Sequence, residues 1–166
     1  MKEILADYNF TELKRLAEEM GERPFRAKQL FDGVMRGHDI SGIPALPAAF
    51  VQRLLGRFED CALKIVKTLI SSDGTEKYLY KLADGNIIEG VFMRYKYGNT
   101  LCVSTQAGCR MGCKFCASTL GGLVRNLTPG EMLSQVLKVN ALHGGTPAKR
   151  QVTNVVLMGS GEPLDN

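Results

Sequence analysis

The spacing of apolar residues changes twice along these 166 residues, and each change marks a different kind of building block. Over the first sixty residues the apolar positions recur every three or four. Leu13, Leu16, Ala17 and Met20 form one set, Phe25, Ala27, Leu30, Phe31 and Val34 a second, and Phe50, Val51, Leu54 and Leu55 a third. Such spacing places each set on one side of a helix. Asn9 or Thr11 offers a cap for the first helix, Gly21 and Gly37 stop the first two, and Pro24 and Pro47 stand at the starts of the second and third. These stripes read as core rather than as a cofactor pocket.

From Leu63 the period falls to two. Strand-like runs at 65–70, 77–82 and 87–95 are separated by Ser72-Asp73-Gly74 and Ala83-Asp84-Gly85-Asn86, and Asp-Gly between such runs predicts hairpins. After this antiparallel meander the pattern changes again. A buried strand is expected over 100–105, then a Cys- and Gly-rich loop over 108–122. Thr128-Pro129-Gly130-Glu131 follows, a capping box with proline at the first helical position. The helix it opens carries Met132, Val136, Leu137, Val139 and Leu142, ends near Gly144-Gly145, and leads to a strand over 152–158. Strand, helix, strand is a βαβ unit with a right-handed crossover. The expected fold is therefore α/β, with a helical accessory domain (1–60), a meander connector (61–98) and the first βαβ unit of a larger core (99–166). One βαβ unit cannot bury both faces of its strands, so an open sheet edge is expected.

Hydrophobic residues at 45% and charged residues at 23% give enough apolar surface for a real core and exclude disordered and collagen-like chains. No apolar run approaches the length of a membrane span, and Met1-Lys2-Glu3-Ile4-Leu5-Ala6-Asp7 turns acidic before a signal-peptide core can form. A cytoplasmic protein without a membrane partner is expected. The net charge of +4 is uneven: residues 1–100 hold 15 basic and 14 acidic side chains, residues 101–166 hold 6 and 3. Residues 90–130 contain no Asp or Glu but do contain Arg94, Lys96, Arg110, Lys114 and Arg125. That stretch suits an anionic partner or is simply a slightly basic surface.

Four of five cysteines, Cys102, Cys109, Cys113 and Cys116, fall within 15 residues, unlike a secreted disulfide framework. Cys109-Arg110-Met111-Gly112-Cys113-Lys114-Phe115-Cys116 is a Cys-x3-Cys-x2-Cys run on a loop after a strand. Three thiolates at that spacing can wrap one face of an iron–sulfur cube and leave one iron open to an external ligand. Zinc is the competitor, with Cys102 as a fourth thiolate, although the paired knuckles usual for zinc are missing. One strand later comes Met158-Gly159-Ser160-Gly161-Glu162-Pro163, whose glycines would let backbone approach a ligand at the carboxyl end of the sheet. Alone, that motif reads by default as a plain turn with a solvated Glu162; it gains meaning because the cysteine loop is expected at the same sheet edge. Cys102 reads as a thiolate or a small buried hydrophobe, Glu89 as a solvated strand carboxylate, and Cys61 as an inert thiol.

The cysteine run with Phe115 before its last cysteine, followed by Gly161-Glu162-Pro163, resembles the radical S-adenosylmethionine superfamily. The wider text from Tyr95-Lys96-Tyr97-Gly98-Asn99-Thr100-Leu101-Cys102 through Asn126 resembles the RlmN-type dual-specificity RNA methyltransferases, with the Cfr-type resistance methyltransferases a poorer match. The resemblance covers essentially the whole chain. It implies a partial (β/α) barrel, a [4Fe-4S] cluster on Cys109, Cys113 and Cys116, and S-adenosylmethionine contacted by Gly161 and Glu162. The implied reaction methylates C2 of adenine in large-subunit ribosomal RNA and transfer RNA through a methyl-cysteine, with an electron donor such as flavodoxin or ferredoxin. Glu89 matches the proton acceptor, and Cys102 the residue that resolves the protein–RNA adduct by forming a disulfide. Two departures stand out. Ser160 replaces a usually larger residue such as Met, and no cysteine follows Cys116 to carry the methyl group. The chain thus reads as an incomplete N-terminal portion of a protein that is monomeric when complete, unable to finish methyl transfer alone. A non-catalytic RNA- or zinc-binding module is the alternative.

Overall fold

In the computed structural model, residues 2–166 are described. The N-terminal part holds three helices, α1 (Phe10–Glu19), α2 (Phe25–Met35) and α3 (Ala48–Arg57). Asn9 caps α1: its side chain accepts from the Glu12 amide at 3.0 Å, and the Glu12 carboxylate accepts from the Asn9 amide at 2.7 Å. Two of the four orphan donors of that helix end are thereby satisfied. The predicted stripes meet in one apolar cluster of Leu13, Leu16, Leu30, Phe50, Leu54 and Phe58.

The period-two segment forms β1 (Leu63–Ile70), β2 (Glu76–Leu82) and β3 (Ile87–Tyr95), which run antiparallel and continue into β4 (Gly98–Val103). After β4 come β5 (Gln106–Gly108), β6 (Leu123–Asn126), α4 (Pro129–Leu142) and β7 (Asn154–Val156). β7 pairs parallel with β4, so the meander and the βαβ unit make one five-stranded sheet, ordered β1-β2-β3-β4-β7. β5 and β6 pair with each other in a separate two-stranded sheet.

α4 lies against one face of the large sheet. Tyr78, Tyr80, Ile88, Phe92, Leu101 and Val103 point into that layer with Val139 and Val152. The alternating positions point the other way: Lys77, Leu79 and Lys81 on β2, Glu89, Val91 and Met93 on β3, Cys102 on β4 and Val156 on β7, all exposed or half-buried. The helical part docks on α4 through the Gly130 amide, which donates to Asp7 at 2.6 Å, and through an ion pair between Lys138 and Asp39. No helix among the described residues is long and apolar enough to cross a membrane.

Three local expectations change. The strand expected over 100–105 ends at Val103, because the Ser104 backbone bonds the Gln135 side chain instead of a neighbouring strand. The strand expected over 152–158 shortens to Asn154–Val156. The segment expected to be loop over 108–122 is closed at its base by the β5–β6 pair, whose strands of three and four residues are too short to give a periodic signal.

Candidate functional site

The carboxyl end of β4 and the chain after β7 are locked together by polar bonds. Gln135, fully buried on α4, donates through Nε2 to the Ser104 carbonyl and accepts the Ser104 amide on Oε1, both at 2.9 Å. Ser104 Oγ donates to the Glu89 carbonyl at 2.7 Å and accepts the Ser160 amide at 2.7 Å. The Ser160 carbonyl accepts the amides of Thr105 (2.8 Å) and Gln106 (3.2 Å), and Gln106 Oε1 accepts the Glu162 amide at 2.9 Å. Gly161 stands at φ 108°, and a Cβ there would lie 2.7 Å from the Gln106 amide nitrogen and from Thr105 Oγ1. Only glycine fits that crossing.

This clamp places Gly161 and Glu162 beside the cysteine loop. Cys109, Cys113, Cys116, Gly159, Gly161 and Glu162 border one hollow of about 140 Å³. Cys109 is buried, Cys116 half-buried and Cys113 exposed, and all five cysteines of the chain are free thiols. Among the described residues no three Cys, His, Asp or Glu side chains stand close enough together to hold a metal ion. The thiols therefore ring the hollow without converging. The chemistry of the donor set fits an iron–sulfur cluster nonetheless: three thiols from a glycine-bearing loop border one hollow, which the Gly159 and Gly161-Glu162 turn also borders.

Cys102 lies elsewhere. Its thiol points to the Gly159 carbonyl at 3.7 Å and borders a second, larger hollow of about 710 Å³ on the open face of the sheet, with Val91, Met93, Thr100, Val156 and Met158. Burial pushes its pKa up. Cys102 therefore borders a different hollow from the three thiols of the cysteine run. Met158 borders both hollows. Glu89 shares the open face with Cys102, two residues from Val91, the cross-strand partner of Cys102, and forms an ion pair with Lys77 at 2.9 Å. Cys61, far from both hollows in sequence, has its pKa raised by burial.

The basic run over 90–130 is less free than its sequence suggests. Arg125 holds Glu131 through two bonds (2.7 and 2.8 Å) and also Asp84, Arg94 holds Glu76, and Arg110 holds Asp165. The acids come from outside the run, so counting charges within it overstated its field. What sequence reasoning missed is the clamp itself. Its signal was Glu131 and Gln135, polar residues four apart on the buried side of α4, where the helical pattern calls for apolar ones.

No family model matches the chain. Along its whole length it is similar to proteins named "Probable dual-specificity RNA methyltransferase RlmN". It is 46% identical to that of Caldicellulosiruptor saccharolyticus, covering 100% of this chain and 47% of the relative. It is 50% identical to that of Clostridium acetobutylicum (99% and 47%) and 52% identical to one from Clostridium perfringens (100% and 47%). Among solved structures, a radical SAM methyltransferase from Sphaerobacter thermophilus matches with a TM-score of 0.89 at 38% identity, over 99% of this chain and 48% of that one. The chain spans about half the length of the relatives it matches.

Proposed function

We propose that this chain, the N-terminal portion of an RlmN-type radical SAM sequence, supplies the cluster-binding and adduct-resolving half of an RNA methyltransferase acting on C2 of adenine in ribosomal and transfer RNA. One observation carries the reading: the three thiols of the cysteine run and the Gly161-Glu162 turn border a single hollow, which meets the Cys102 hollow at Met158. Within the chain, residues 1–60 act as an accessory unit, 61–98 as a connector and 99–166 as the start of the core.

Cys109, Cys113 and Cys116 would hold a [4Fe-4S] cluster, with S-adenosylmethionine against Gly161 and Glu162. When bound, the cluster supplies one electron and an open iron for the amino and carboxylate groups of that cofactor. The chain's own residues do the rest. Gly161 lets the turn cross Gln106 and Thr105 where any Cβ would collide, and the Gln106 bond to the Glu162 amide fixes the turn. Glu89, half-exposed on the open face, takes a proton from the substrate ring, and Lys77 holds its carboxylate in place. Cys102 waits as a thiol, since burial raises its pKa, and becomes a nucleophile only on losing its proton. An external donor such as flavodoxin or ferredoxin supplies the electron, in the cytoplasm. With no cysteine after Cys116 to carry a methyl group, these 166 residues are expected not to complete the transfer alone.

Anaerobic reconstitution with iron and sulfide tests this reading. A brown protein with about four irons per chain is expected, and Cys113→Ala should lose it. A colourless chain that takes up zinc instead, or one that methylates adenine unaided, sinks the corresponding part.

A further inference from the structure

The open face of the meander carries positive charge that is less committed than the arginines of the 90–130 run. Leu79 sits at its centre. Lys67 lies directly opposite on β1, Lys77 and Lys81 flank Leu79 two residues either way along β2, and Lys64 lies opposite Lys81. Partners across an antiparallel pair share a face, so all four lysines project on the side away from α4. Lys64, Lys67 and Lys81 are exposed and Lys77 half-buried. Lys77 pairs with Glu89, whereas Lys64, Lys67 and Lys81 make no ion pair among the described residues.

Acids at this end of the sheet are mostly committed: Asp84 to Arg125 and Asn86, and Asp60 to the backbone and hydroxyl of Ser41. Glu59 and Asp60 share a hollow with Lys64 and Lys81, and Glu89 offsets Lys77, so of the four lysines Lys67 is the least compensated. Keeping an exposed edge strand soluble would need lysines on β1 only. Lys77 and Lys81 lie on β2, inside the sheet, where that need does not arise. The same face runs without interruption from these lysines through Glu89 and Val91 to Cys102.

We infer that this four-lysine face is a docking surface for the phosphodiester backbone of RNA, leading a nucleotide strand across β2 and β3 toward Glu89 and Cys102. The inference rests on the RNA substrate proposed above and adds where the strand lies. Lysine ammonium groups on adjacent strands offer point charges to successive phosphates without reading bases, as a surface serving more than one RNA requires.

The test is binding of the 166-residue chain to a fluorescein-labelled single-stranded RNA of about 20 nucleotides, titrated between about 50 and 200 mM salt. Three phosphate contacts, from the unpaired Lys64, Lys67 and Lys81, predict a slope of log K against log salt near −2, at about −0.7 per contact. Lys67→Gln/Lys81→Gln should weaken binding at least tenfold and reduce the slope by about 1.4, while Lys14→Gln/Lys149→Gln, with the same charge loss on other surfaces, should change neither. Equal losses in the two double variants, or no binding by the folded parent chain, overturn the proposal. So does a Lys67/Lys81 variant that aggregates yet keeps the parent slope. Iron uptake by the same samples separates the two readings: a chain that shows the expected slopes but takes up no iron sinks the cluster reading and leaves this surface standing.

Discussion

Two glycine-bearing segments face each other across the small hollow, and they are built in opposite ways. Residues 159–162 are held by four hydrogen bonds to Ser104, Thr105 and Gln106, with Gln135 of α4 bracing Ser104 from behind. The cysteine loop is closed at its base, where the Cys109 amide donates to the Gly122 carbonyl at 3.0 Å, and beyond that it bonds mainly to itself. Phe115 at its tip is 94% exposed and Leu120 87%. Rigidity therefore sits on the wall that would receive a small cofactor, while the thiol-bearing wall keeps the freedom to close around whatever it ligates. Ligand-supplying loops are commonly the least stable part of a site, because binding energy can order them.

The sharpest way to break that contrast is to give each segment one methyl group. Gly161→Ala places a Cβ at φ 108° and 2.7 Å from backbone and side-chain atoms, and should cost about 4 kcal/mol in urea denaturation. Gly112→Ala, at φ 70° with nothing within 4 Å, should cost only about 1 kcal/mol, the backbone strain alone. Equal costs would mean that the two walls are equally rigid.

Next in size is the brace. Gln135→Met keeps volume and helix propensity but leaves the buried Ser104 amide and carbonyl without partners, about 3 kcal/mol at typical costs of stranded backbone groups. If iron uptake also falls while Gly112→Ala leaves it intact, the braced wall positions the site. If stability falls and uptake does not, the brace serves the fold only.

How much of this was legible beforehand follows the same division. The helices, the meander and the capping box of α4 were readable because local signals and tertiary packing agree there: Asn9, Thr128 and the Asp-Gly turns act within a few residues. The cysteine run stood out in the sequence as a ligand candidate, and Gly161-Glu162 only beside it. The clamp did not, since Ser104, Gln135 and Ser160 are 31 and 56 residues apart and each alone is an ordinary polar residue. Nor did the pairing of Arg94, Arg110 and Arg125, whose acids lie 18, 55, 41 and 6 residues away. Lys77 and Lys81, four apart, share a face by period two, whereas Lys64 and Lys67, three apart, share one only through the irregular register between Ile65 and Lys67. Charge counted along a sequence window misleads wherever strands bring in partners from outside it.

Thiol reactivity sharpens the comparison at a smaller scale. With iodoacetamide near neutral pH, exposed Cys113 should be modified first and buried Cys109 last. Cys102 should lag Cys113 by roughly tenfold and gain on it as pH rises, because burial holds its pKa above the usual thiol value. Mass spectrometry of the digested chain reads the order. A Cys102 that reacts as fast as Cys113 would place it on a mobile segment, contrary to its position in β4.

The smallest expected effect concerns what anchors the cysteine loop to the rest of the fold. Arg125 on β6 reaches Asp84 in the β2–β3 turn and Glu131 in the first turn of α4, so it ties the hairpin under the loop to both neighbours. Burial works to raise the Asp84 pKa, but hydrogen bonds from Arg125 and Asn86 outweigh it and hold the carboxyl below its ordinary value. A depressed folded-state pKa stabilises the fold above the unfolded value near 4, and that contribution disappears as pH falls through the lower folded value. Asp84→Asn should therefore cost about 1 kcal/mol or less at pH 7, Arg125 keeping its second partner Glu131, and progressively less below pH 4. Thermal midpoints of the two proteins should converge on acidification. If they stay a constant distance apart from pH 7 to pH 2.5, Asp84 contributes through its turn geometry rather than its charge. The loop base would then be held by Glu131 alone.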